Sequence, residues 1–174
     1  MPGKELPDFT HPLEMLKACH VRIRAECDTL RQLVAHLQDH GCDKQSRQAA
    51  LNVIRYFDTA SHLHHEDEEQ DLLPRMMSAA TIGRGSSLTR LVADIATEHR
   101  TMERAWTELR AALQLVMEGE SAALDALAVD HFIKLYQSHI AVEEANVFPL
   151  AEMLLSREDL AAIGANMARR RGVT

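Results

Sequence analysis

His64-His65-Glu66-Asp67-Glu68-Glu69, followed by Leu72-Leu73-Pro74, has a near-copy further along the chain: His139-Ile140-Ala141-Val142-Glu143-Glu144, followed by Val147-Phe148-Pro149. In register, His64 falls on His139, Glu68 on Glu143, Glu69 on Glu144 and Pro74 on Pro149. Each copy sets a histidine and a glutamate four residues apart, which on a helix is one face, one turn along. An imidazole nitrogen beside a carboxylate oxygen is a donor pair suited to borderline transition metals. Two such pairs in one chain point to a site shared between two helices.

Around these copies the chain reads as helix. It has 174 residues, enough for one domain with a sizeable core. Glycine (7) and proline (5) are scarce, and 46% of residues are apolar. Breaks fall at Gly41 with Asp43, at Gly83 to Ser87 and at Gly119 to Ser121, each pairing a glycine terminator with a residue able to cap the next helix. Thr10 ahead of Pro12 marks the first start, and Ser156 with Asp159 reads as a capping box. The spacing predicts an all-α, up-down-up-down four-helix bundle with helices at about 11–40, 44–79, 87–118 and 121–155, a short C-terminal helix at about 157–168, and an N-terminal tail over residues 1–10. Pro74 and Pro149 are expected to kink or end their helices.

Each long helix carries an apolar stripe interrupted by one histidine. The stripes run Leu16, His20, Ile23, Cys27 in the first; Ile54, Phe57, Ser61, His64, Glu68 in the second; Ile95, His99, Met102, Trp106 in the third; and Phe132, Leu135, His139, Glu143 in the fourth. Counted from the breaks near 41, 84 and 120, the histidines on either side lie 21 and 23, 20 and 15, and 21 and 19 residues away. At ~1.5 Å rise per residue the mismatches are a few ångströms, about one helical turn at worst. All four histidines therefore fall in nearly one layer of the core. Buried ionisable groups are costly unless paired or metal-bound, so a layer of four imidazoles with carboxylates one turn along favours metal. Glu103 repeats the spacing after His99, beside the stripe, and joins the candidate ligands; the corresponding residue of the first helix is Arg24, which cannot ligate. The candidate set is His20, His64, Glu68, His99, Glu103, His139 and Glu143. Nitrogen and oxygen donors without thiolate suit iron, manganese or zinc, and so many of them suit two ions.

The pattern His20, His64-x-x-x-Glu68, His99 and His139-x-x-x-Glu143, with the Leu-Leu-Pro and Val-Phe-Pro endings, resembles the hemerythrin-like (HHE cation-binding) family over about residues 11–170. The resemblance implies a non-haem di-iron centre bridged by Glu68 and Glu143, with an oxo or hydroxo bridge, reacting with dioxygen, nitric oxide or peroxide. The chain departs from the oxygen carriers, which place a second histidine where Glu103 stands. It has no paired cysteines before Cys19, as the iron–sulfur-repair members do, so the expectation is a stand-alone bacterial-type member. Whether it turns over a substrate stays open: an iron or metal sensor or store, and a structural bundle with a vestigial site, fit the same residues.

Other features narrow the classes. A net charge of −7 argues against nucleic acid, and the one basic cluster, Arg169 to Arg171, reads as a solvated tail. No apolar run approaches the ~20 residues that span a bilayer, and the N-terminus lacks a signal-peptide core, so a cytoplasmic protein is expected. Cys19, Cys27 and Cys42 have no disulfide or Cys-x-x-Cys spacing. His62 and His65 are expected at the surface or behind the ligands, and Glu66, Asp67, Glu69 and Asp71 read as a solvated acidic face or an electrostatic funnel for ferrous iron. Tyr56, Tyr136 and Trp106 read as core.

Overall fold

A computed structural model describes residues 8–80 and 85–173. Helix α1 spans Pro12–His40, α2 runs over 44–79, α3 spans Gly85–Glu118, α4 runs over 126–154 and α5 spans Arg157–Arg170. No strand occurs among the described residues. The four long helices close a ring, α1 on α2, α2 on α3, α3 on α4 and α4 back on α1. Contacts between α2 and α3 run in opposite senses (Arg47 with Met117, Asp58 with Trp106, Glu69 with His99), as an antiparallel pair requires. This is the all-α four-helix bundle with a short C-terminal helix expected from the stripes. No described helix is long and apolar enough to cross a membrane.

Local chemistry sets the ends. Asp43 and Ser46 form a reciprocal capping box, Ser46 N–H to Asp43 Oδ1 and Asp43 N–H to Ser46 Oγ, both at 2.8 Å. Ser156 and Asp159 do the same for α5, at 3.0 and 3.1 Å. Two expected starts move. Thr10 bonds to Asp8 instead of capping α1. Ser121 is taken into a local turn with Ala123, and α4 begins five residues later, where Asp125 Oδ1 accepts from Leu127 N–H at 2.8 Å. The break expected at Gly83 to Ser87 falls partly outside the described residues; α3 is already helical at Gly85.

Helices α2 and α4 are not uniform. Helix α2 widens into π turns over Phe57–Ser61 and Glu68–Leu72, and α4 widens over Glu143–Val147. Leu73 N–H donates to Glu68 C=O and Phe148 N–H to Glu143 C=O, one residue further back than in an α-helix. Pro74 and Pro149 follow directly. A proline lacks the N–H and crowds the carbonyl four residues back. The wide turn has already broken that ladder, so both helices continue through their prolines to Ala79 and Leu154.

Two apolar clusters fill the bundle. One holds Ile23, Leu30, Val53, Phe57, Leu113 and Phe132. The other holds Leu16, Leu72, Met76, Ile95, Phe148 and, from α5, Ile163 and Met167. The histidine layer lies between them. Trp106 packs at the edge of the first cluster, against Phe57, with its indole N–H on Asp58 at 2.9 Å.

Candidate metal centre

Helices α1 to α4 deliver His20, His64 with Glu68, His99, and His139 with Glu143 into one layer, all 0% or 1% exposed. Glu68 and Glu143 face each other across it. His64 Nε2 lies 3.3 Å from Glu68 Oε1, and His99 Nε2 lies 3.3 Å from Glu68 Oε2. His20 Nε2 lies 3.0 Å from Glu143 Oε2, and His139 Nε2 lies 3.3 Å from Glu143 Oε1. Each carboxylate thus stands between a histidine on one side and a histidine on the other. Two ligand groups result: His20, His64, Glu68 and Glu143, and Glu68, His99, His139 and Glu143, with donor atoms all within 4.8 Å of one another in each. Both glutamates belong to both groups, which is the arrangement that holds two cations side by side.

Three histidines have their outer nitrogen tied down. His20 Nδ1 lies 3.1 Å from Glu144, itself held by Arg24 at 2.9 Å. His99 Nδ1 lies 2.7 Å from Glu69, and His139 Nδ1 lies 2.8 Å from Glu98. A carboxylate accepting from Nδ1–H keeps a proton on that nitrogen, so that the inward Nε2 is the atom left to offer a lone pair to a cation. Phe148 stacks on His20 at 5.3 Å, fixing the ring from above.

Metal fits these residues because the protein does not satisfy them. His20 Nε2, both nitrogens of His64, His65 Nε2 and all four oxygens of Glu68 and Glu143 are buried without a hydrogen-bond partner in the chain. Each such group costs roughly 1–3 kcal/mol when left unmade, and cations in the two shared groups would meet them.

Without metal the layer is electrically divided. Burial, then the charge of Glu143, pushes Glu68 well above the ordinary carboxylate range. Burial opposes ionisation of Glu143 too, but His139 and His20 overcome it and hold Glu143 well below that range. His139 is correspondingly raised to about 10, its burial outweighed by Glu143 and Glu98. Burial lowers His64 to about 3 and carries His65 well below its ordinary value, with His99 lowered for the same reason.

Six of the seven predicted site residues come together. Glu103 does not: it is exposed on α3 and belongs to none of the ligand groups. The next core position after His99 is taken by Met102, 1% exposed, which turns Glu103 off the seam. His65, expected at the surface or behind the ligands, is not at the surface: it is 7% exposed and groups with His99 and His139, stacked on His99 at 4.1 Å. The π turns before and after it shift the helical phase, so a stripe drawn at regular spacing misses it. Its neighbour Tyr136 is buried against it and shares a hydrogen bond with Ser61 at 3.0 Å. The acidic face of α2 is solvated only in part: Glu69 is exposed and Glu66 half-buried, whereas its two aspartates are buried. Asp67 and Asp71 are 0% and 4% exposed, and Arg170 and Arg171, expected in a solvated tail, pair with them.

Two outcomes follow from this geometry. Metal retained after dialysis is expected to fall in His65→Ala and to stay at the parent level in Glu103→Ala; the reverse order would contradict the placement. For the metal-free chain, His64, His65 and His99 fold neutral, so unfolding takes up protons below their ordinary value of 6.5 and stability falls as pH drops toward about 3. Each contributes up to ~1.4 kcal/mol per pH unit, and the three outweigh the opposite effect of Glu68. His139 has the other sign: its raised value gives stability that is full below 6.5 and is lost as pH rises through about 10. Stability of the chelator-treated protein, read by urea unfolding, should therefore peak near 6.5. A monotonic rise through neutrality would contradict it.

The family profile described as the hemerythrin HHE cation binding domain matches residues 11–151. An uncharacterised protein of Haemophilus influenzae is 28% identical over 170 residues, which is 98% of this chain and 95% of the relative. The matched residues contain every histidine and both shared glutamates of the buried layer, and the chain belongs to the hemerythrin HHE cation-binding family.

Proposed function

We propose that the chain holds two iron ions between its four long helices and that this centre binds or reacts with a small oxidant or diatomic ligand: dioxygen, nitric oxide or peroxide. The observation that carries the reading is the sharing of Glu68 and Glu143 by two ligand groups, with all four of their carboxylate oxygens, His20 Nε2 and both His64 nitrogens lacking a hydrogen-bond partner in the chain. Imidazole and carboxylate donors without a thiolate favour iron over softer metals, with manganese and zinc as competitors for the same donors. A bound iron pair supplies electrons and an open coordination position to a small ligand.

The rest of the chemistry belongs to the chain. Glu143 brings negative charge into a layer that lies between two apolar clusters, which strengthens its attraction for cations, and Glu68 would add its own charge on losing its proton to a bound cation. Glu144, Glu69 and Glu98 set the tautomer of His20, His99 and His139 and hold each ring to one orientation. These three carboxylates are 38%, 46% and 37% exposed, so each links a buried imidazole to water and can accept or return a proton at Nδ1.

Elemental analysis and the ultraviolet–visible spectrum of protein purified aerobically from iron-supplemented culture test the reading. About two irons per chain are expected, with near-ultraviolet bands that change on addition of peroxide or nitric oxide. Two irons with no spectral response to any of these ligands would turn the reading to storage or sensing. A colourless protein without iron would overturn it.

A further inference from the structure

We infer that the C-terminal helix is a working part of the metal centre: Arg170 and Arg171 position Glu68 by clamping the π turn that carries it. The inference rests on the metal-centre reading. Asp67 stands immediately before Glu68 and Asp71 three residues after it, and both carboxylates are buried. Arg170 reaches both, with Nη1 on Asp67 Oδ1 at 2.8 Å and Nη2 on Asp71 Oδ2. Arg171 grips both oxygens of Asp67, at 3.2 and 2.7 Å. Asn166, one turn earlier on α5, donates to the remaining oxygen of Asp71. The turn between the two aspartates also carries Glu69, which holds His99 at 2.7 Å. One clamp therefore fixes a shared ligand and the support of a second.

The repeat supplies an independent observation. In register with Asp67 and Asp71, the α4 copy has Val142 and Asn146. Val142 packs with the apolar cluster, and Asn146 bonds to its own helix at Val142 C=O, 3.0 Å. The Glu143 turn has no aspartates in these two positions and so no buried charge there to neutralise. The Glu68 turn buries two negative charges beside a third carboxylate, and those charges are tolerable only with the α5 guanidiniums against them. The α5 side of the clamp, Asn166, Arg170 and Arg171, lies beyond the residues that the family profile matches, 11–151. Helix α5 is independently anchored along its length by Ile163 and Met167 in the core, and at its start by Arg75 on Asp159 at 3.4 Å.

That second anchor provides the control. The full-length chain and its Arg170→Gln/Arg171→Gln, Arg170→Lys/Arg171→Lys and Arg75→Gln variants would be loaded with ferrous iron under anaerobic conditions. Release of iron to a colorimetric ferrous chelator would be timed, and melting followed by circular dichroism. The double Gln variant is expected to release iron about 10–100-fold faster than the parent. The Lys pair keeps the charges without the two-pronged geometry and should fall between them. Arg75→Gln should release iron at the parent rate even where its melting temperature drops. Equal release from the parent and the clamp variants would overturn the inference, as would faster release from Arg75→Gln matching its loss of stability. Should the Gln pair fail to fold, the Lys pair decides by the same comparison. A parent chain that takes up no ferrous iron would overturn the metal-centre reading itself, and this inference with it.

Discussion

The structure turns on a polar layer that the chain buries and does not satisfy. Glu68 and Glu143 stand fully buried between two apolar clusters, with four histidines of the bundle ring pointing at them. Buried carboxylates and imidazoles without partners destabilise a fold of this size by an amount comparable to its whole stability. The helices are long enough, and the apolar clusters on both sides large enough, to hold the layer together. Arg24 with Glu144, Glu69 and Glu98 are arranged around its rim and engage the outer nitrogens of the histidines, so that the inner ones face the two glutamates. A layer arranged in this way is organised for cations, and membership of the HHE cation-binding family agrees with it.

The backbone takes part in that organisation. Each shared glutamate is the first residue of a π turn, and each turn closes one residue before a proline. A regular helix could accommodate the glutamate or the proline separately. The wide turn accommodates both, because it removes the hydrogen bond that the proline cannot make and rotates the following residues back onto the core. Leu72, Leu73 and Met76 are thereby buried after Glu68, as Val147, Phe148 and Ala151 are after Glu143.

Much of this was legible in the sequence because it rests on local periodicity. The histidine in each stripe, the two His-x-x-x-Glu pairs, the glycine breaks and the Ser156–Asp159 cap are readable from residues three or four apart, and the bundle with six converging candidate ligands follows from them. What the sequence hid depends on phase or on distance. His65 is buried because π turns shift the helix, and hydrophobic spacing assumes a constant 3.6-residue period. Glu103 has the same spacing as Glu68 and Glu143, but Met102 occupies the inward direction on α3. Arg170 and Arg171 looked like a tail because their partners, Asp67 and Asp71, are about a hundred residues earlier. The mismatch between the α2 and α4 copies at those two positions was the one available signal.

The central claim is that Glu68 and Glu143 are shared by two cations. A crystal structure of the iron-loaded protein, with anomalous differences recorded at the iron absorption edge, tests it most directly. Two anomalous peaks are predicted, both in contact with Glu68 and Glu143, one on the His20–His64 side and one on the His99–His139 side. A single peak, or iron bound outside this layer, would contradict the account.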